Sequence, residues 1–198
     1  MQSTGLLSIA AVLTLGACTG AGLQQPLALT SAELTQVKAQ AQTEPGGRPF
    51  KMDMVIGSDL SEGTCDVEVP TGDPGNPTVL VQIPTFAPAW GTASHVGRVG
   101  QDIWHDYCSF ALHGDLPAID LGGHTEIRAA NGDAIEGNWS GYLLLAGEQA
   151  GHFFNTAVIT GGTGRFENAS GELVIHGWNN LGPGPEPSWY KAEGTISY

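Results

Sequence analysis

The chain is poor in positive charge. It carries 7 Lys and Arg against 20 Asp and Glu, a net charge of −13. That balance argues against nucleic acid and anionic headgroups as partners of the protein surface, because both would be repelled. Its ordinary consequence is solubility. Cysteine is scarce, at 3 residues. No two are spaced Cys-x-x-Cys, so a thioredoxin-type redox motif is excluded. A Gly-x-Ser-x-Gly elbow is absent, which excludes an α/β-hydrolase. The six histidines, His95, His105, His113, His124, His152 and His176, form neither His-x-x-x-His nor His-Glu-x-x-His. Their spacing therefore points to no metal, and no cofactor is implied.

Glycine is what the chain has in quantity, at 29 of 198 residues, with 12 prolines. No Gly-X-Y period is present, so collagen is excluded. Glycines scattered among β-branched and aromatic runs fit many short strands joined by tight turns. The densest run is Gly161-Gly162-Thr163-Gly164-Arg165-Phe166. A phosphate-binding loop would need a Lys after the glycines and a helix beyond them. Here the following segment, Gly171-Glu172-Leu173-Val174-Ile175-His176, alternates polar and apolar as a strand does. The run is therefore expected to be a strand connector, with its glycines supplying positive φ and Arg165 laid over carbonyls or a carboxylate.

The N-terminus reads as a targeting segment. Residues 6–15 are apolar but too short to span a bilayer. They lead into Leu15-Gly16-Ala17-Cys18, which resembles a bacterial lipobox. No Lys or Arg occupies residues 2–5. The expectation is a signal peptide over residues 1–17, lipidation of Cys18 and a flexible tether over residues 18–47. Residues 31–42 have the pattern of one short helix within that tether. In the resembled lipoproteins a Thr after the Cys implies the outer membrane, so the protein is expected in the bacterial envelope, held by lipid. A secreted or periplasmic protein is the alternative. Removing Cys18 leaves Cys65 and Cys108, and two cysteines in an oxidising compartment most simply form one disulfide. Free thiols are the alternative there.

Strand patterns recur over residues 48–198. They fall at residues 50–56, 63–69, 78–83, 92–99, 102–112, 124–130, 133–145, 151–160, 171–179 and 191–198. Asn131-Gly132 between two of them is a strong hairpin signal. About eight to ten strands with no helical pattern between them predict an all-β sandwich or closed barrel. Ile127, Ala129, Ile135, Trp139, Leu173, Ile175 and Ile196 fall on apolar phases. Glu126, Arg128, Glu136, Asn138, Glu172, His176 and Glu193 fall on polar ones. One face is thus expected inside and one in solvent.

Four pieces in order carry a family resemblance: Gly91-Thr92-Ala93-Ser94-His95-Val96-Gly97-Arg98, Ala130-Asn131-Gly132-Asp133, the Gly161-to-Phe166 run, and Ala169-Ser170-Gly171. Together they resemble bacterial proteins with the allene-oxide-cyclase-type barrel, shared with plant dirigent proteins. The resemblance implies an antiparallel closed barrel of about eight strands with a tapered apolar cavity. It spans members that cyclise reactive substrates, members that steer radical coupling, and secreted proteins without assigned activity. The shared motifs are turn and packing residues, and no catalytic residue of that family is matched here.

The densest set of functional side chains is Asp102-Ile103-Trp104-His105-Asp106-Tyr107-Cys108. Period two places Trp104, Asp106 and Cys108 on one face and His105 and Tyr107 on the other. Trp104, Asp106 and Tyr107, with His95 and Trp139, are the candidates for lining a cavity. The expected function is an envelope lipoprotein whose barrel binds a small apolar or aromatic ligand or serves as a scaffold. The rival is a cyclase or isomerase that folds a hydrophobic substrate inside the barrel. A dry, open pocket with one or two convergent polar groups would favour the enzyme, whereas an interior filled by Trp139, Ile127, Leu173 and their neighbours would sink both readings and leave a structural or interaction role. The sequence is silent on oligomeric state.

Overall fold

A computed structural model describes residues 47–57, 63–181 and 186–198. The expected signal peptide, Cys18 and nearly all of the tether lie outside the described residues. Ten strands follow in order: β1 (Arg48–Ile56), β2 (Thr64–Asp73), β3 (Asn76–Pro84), β4 (Phe86–Ala93), β5 (Gly97–His113), β6 (Leu116–Ala129), β7 (Ala134–Leu144), β8 (His152–Gly162), β9 (Ser170–Trp178) and β10 (Trp189–Ser197). Eight close an antiparallel barrel in the order β1-β10-β9-β8-β7-β6-β5-β4, with β4 pairing back onto β1. Of the two all-β architectures that the strand count left open, the closed barrel, which the resemblance implied, is the one present. The other two strands, β2 and β3, form a separate ribbon.

Alternation decides what is inside. Phe50, Met52 and Met54 of β1 are at most 3% exposed, while Lys51 and Asp53 between them face solvent. The same phase buries Ile127, Ile135, Trp139, Leu173 and Ile196, as expected, whereas Ile175 is half-buried against the core. Outward residues pair as surface ions, Lys51 with Glu193 at 3.3 Å and Lys191 with Asp53 at 3.0 Å. An apolar interior and a charged outer wall reverse the arrangement of a membrane-spanning barrel. Among the described residues no helix is long and apolar enough to cross a membrane.

Two turns bear out their sequence signals. At Asn131-Gly132 the Ala129 amide donates to the Asp133 carbonyl at 2.8 Å. Only Gly132 has positive φ there, +91°, so the connection is a bulged turn and not the two-residue type that needs both residues left-handed. In the glycine-rich run, β8 ends at Gly162 and a single 3-10 turn covers Gly164–Phe166. Gly162 lies so near β7 that a Cβ would come 2.0 Å from the Ala134 carbonyl. Phe166 is fully buried against Tyr198, ring centroids 4.8 Å apart. Arg165 covers the Phe166 ring and lies 3.6 Å from Asp133.

One strand expectation is corrected. Residues 92–99 are not continuous: β4 ends at Ala93 and β5 begins at Gly97. His95 sits in the intervening turn at φ +63°, a left-handed conformation no strand residue adopts.

Candidate functional site

Strand β5 positions the chemistry. Its first half alternates regularly, with Gln101, Ile103 and His105 inward and Asp102 and Trp104 outward. A β-bulge then intervenes: His105 pairs with Gly123 and Tyr107 with Gly122, leaving Asp106 as the extra residue. The phase reverses there. Tyr107 turns outward, 49% exposed, with its ring so close over Gly122 that a Cβ there would lie 2.4 Å away. Cys108 turns toward the core and is joined to Cys65 of the ribbon, Cα atoms 6.1 Å apart. Strict period two is thereby corrected: Trp104 and Asp106 share the outer face with Tyr107, and Cys108 goes with His105.

The outward residues converge on His124 of β6, the register partner of Trp104. The two rings stack at 4.7 Å with planes 10° apart, and Phe86 of β4 leans on Trp104 from 5.7 Å. Both oxygens of Asp106 lie 3.0–3.1 Å from His124 Nδ1. A carboxylate can only accept, so Nδ1 donates to it, and in the neutral ring Nε2 is the acceptor. Beside them the wall forms an open groove of about 270 Å³ lined by Trp104, His124, Glu126, Glu136, Asn138 and Thr160. Arg128 fixes one rim, donating to Glu126 and Asp102, each at 2.6 Å. These two partners raise the guanidinium pKa.

The interior holds a different polar set. The buried Tyr190 hydroxyl donates to Gln101 Oε1, and Gln101 Nε2 donates to the Thr125 hydroxyl at 2.7 Å. Thr125 passes the chain to the Asp102 carbonyl at 2.7 Å. Burial pushes the Tyr190 pKa far upward, so the phenol stays protonated. His105 stands edge-on to Trp139 at 5.1 Å. Burial pushes its pKa down to about 4, against the opposing influence of the Pro84 carbonyl and Asp106. Trp139, Ile127 and Leu173 are buried among the inward side chains, at 7%, 2% and 2% exposure.

Of the five cavity candidates, only Trp139 points inward, and it packs as core with its indole N–H donating to the His124 carbonyl at 3.3 Å. Trp104 and Asp106 come together through His124, on the outside. Tyr107 is outside as a lid on Gly122. His95 lies apart, its ring nitrogen 3.1 Å from the Pro49 carbonyl, tying the β4–β5 turn to β1. His124, Gln101 and Tyr190 were not singled out from sequence. The register that sets them against Trp104 and one another is a long-range property, and no local motif signals it. Among the described residues no group of three or more His, Cys, Asp or Glu converges.

Comparison of the chain with protein-family models, with curated proteins and with solved structures finds no match.

The groove can do two things chemically. Its aromatic stack and acceptor nitrogen suit a flat molecule bearing an N–H or O–H donor. The same nitrogen could take a proton as a general base.

Proposed function

We propose that this protein is a non-catalytic binding module, a filled barrel used as a rigid scaffold that presents its outer groove to a small aromatic ligand. The observation that carries the reading is the outer face of β5 and β6, where Trp104 and Asp106 meet His124 while Trp139, Ile127 and Leu173 are buried inside. The ligand's donor meets His124 Nε2 and its ring lies along the Trp104–His124 stack. A cyclase or isomerase working inside the barrel would need the space that Trp139, Ile127 and Leu173 fill, so the packing favours the outer site.

The setting belongs to the same proposal. Lipid on Cys18 holds the domain at the bacterial outer membrane through the segment before β1. The Cys65–Cys108 pairing supports an oxidising compartment, and the charged outer wall leaves attachment to lipid rather than to the barrel itself. The closed eight-stranded topology, with the Gly161-to-Phe166 run linking β8 to β9, supports kinship with the allene-oxide-cyclase-type barrels.

Calorimetric titration with p-cresol tests the binding reading. Saturable binding with Kd of about 1 mM or tighter, close to −4 kcal/mol, is expected for the parent and is lost in Trp104→Ala and His124→Ala. Undiminished binding in both variants, or no saturable binding to the parent, overturns it. Cys18→Ala should release the protein from membranes, and unchanged retention contradicts the lipid anchor.

A further inference from the structure

A second imidazole site lies on another part of the outer wall and is independent of the groove. His152 comes from β8 and His176 from β9, diagonal across the pairing in which His152 opposes Trp178 and Phe154 opposes His176. His152 Nδ1 and His176 Nε2 face each other at 3.1 Å. The rings are within 13° of parallel, with centroids 5.3 Å apart. His176 also stacks on Phe154 at 4.8 Å and meets the edge of Trp189 at 6.1 Å, contacts that restrict its rotation.

We infer that His152 and His176 form a two-imidazole chelate for a divalent transition-metal ion of the copper and zinc class. Two neighbouring ligands held about 2.0–2.1 Å from a metal lie about 2.9 Å apart at a right angle and about 3.3 Å apart at the tetrahedral angle. The observed 3.1 Å falls between these spans. Imidazole nitrogen suits this class of ion, and adjacent strands hold the two donors in place without a loop to order.

Without metal, one facing nitrogen donates its proton to the other. On binding, that proton is exchanged through solvent to the remote nitrogen of the same ring, so two neutral imidazoles coordinate and charge balances on the ion. Among the described residues no third His, Cys, Asp or Glu joins them. Two protein donors are those of an open, exchangeable site rather than a closed structural one. The sequence gives no hint of the site, since its two donors are 24 residues apart on different strands.

The test is titration of the full-length chain, carrying no histidine tag, with Cu²⁺ at about pH 7.5, read by calorimetry and by electron paramagnetic resonance. The expected result is one saturable equivalent with two nitrogen ligands, lost on acidification because only neutral imidazole ligates. His152→Ala and His176→Phe, the second keeping a ring against Phe154, should each weaken binding at least about tenfold, no less than loss of an indirect ligand support costs, and leave one nitrogen in the spectrum. His95→Asn should leave binding as in the parent. Absence of a saturable equivalent, or binding and nitrogen count unchanged in the two variants, overturns the site. A His176→Phe chain that fails to fold leaves His152→Ala to decide.

Discussion

Removing the Cys65–Cys108 bridge separates what the disulfide does for the whole domain from what it does for the ribbon. The bridge spans 43 residues. On the chain-entropy account a loop of that length stabilises by about 4 kcal/mol. For a domain of this size that corresponds to a fall in Tm of about 8–16 °C. The loss should not be even. Among the described residues β2 and β3 pair only with each other, and ties to the rest include the bridge, the Pro84 carbonyl beside His105, and Val67, Val69 and Ile83, which are 4%, 6% and 7% exposed. The barrel strands, by contrast, each have two neighbours. In Cys65→Ala/Cys108→Ala the amides of residues 64–84 should lose hydrogen-exchange protection under conditions where β7 to β10 keep theirs. Calorimetry and native-state exchange together read both effects. A Tm within about 2 °C of the parent, under 1 kcal/mol, would refute the reasoning, as would an even loss of protection across ribbon and barrel.

Three further perturbations have defined outcomes. His105 is held neutral by burial, with its pKa lowered to about 4, while in the unfolded chain it titrates near 6.5. Its neutral burial favours the fold fully above about pH 6.5, and the advantage is lost as the pH falls toward about 4, by up to about 3 kcal/mol. Denaturant titrations from neutral to acid pH should show this slope, and it should flatten in His105→Phe; an unchanged slope refutes the assignment. Tyr190→Phe removes the donor to buried Gln101 and should cost about 1–3 kcal/mol, whereas Tyr198→Phe is the control expected near zero. Gly164 has φ +59°, and a Cβ there would lie 2.0 Å from Asp133 Oδ1. Gly164→Ala should therefore destabilise by more than about 1 kcal/mol, measured by chemical denaturation, and parental stability would contradict the strain.

The strands and their two faces were legible because period-two alternation and turn residues are local, while closure into a barrel rather than a sandwich came only from the resemblance. Glu126, Ile127, Arg128 and Ala129 already assign the two faces, and Asn131-Gly132 marks the hairpin. The disulfide was legible by number alone, Cys65 and Cys108 being the two cysteines besides Cys18. The site was not. Period two already puts Trp104 and Asp106 on one face, but nothing in Trp104-His105-Asp106-Tyr107 tells a regular strand from a bulged one, so where Tyr107 and Cys108 point is hidden. With the bulge, a face that alternation gives to Cys108 goes to Tyr107. His124 becomes significant only once β6 is set in register against β5. The ribbon was equally hidden: residues 63–69 and 78–83 have the same β-branched alternation as barrel strands, and only closure of the other eight leaves them outside.

The central claim is that recognition happens on the outer wall and not inside the barrel. Trp104 and Trp139 report on the two places, since Trp104 stacks on His124 outside and Trp139 is buried inside. The direct measurement is a nitrogen–proton correlation spectrum of the labelled protein, following the two indole N–H signals as p-cresol is added. The account predicts that the Trp104 signal shifts with saturation while that of Trp139 stays in place. A shift of Trp139 with Trp104 unmoved would put the ligand inside the barrel and contradict it.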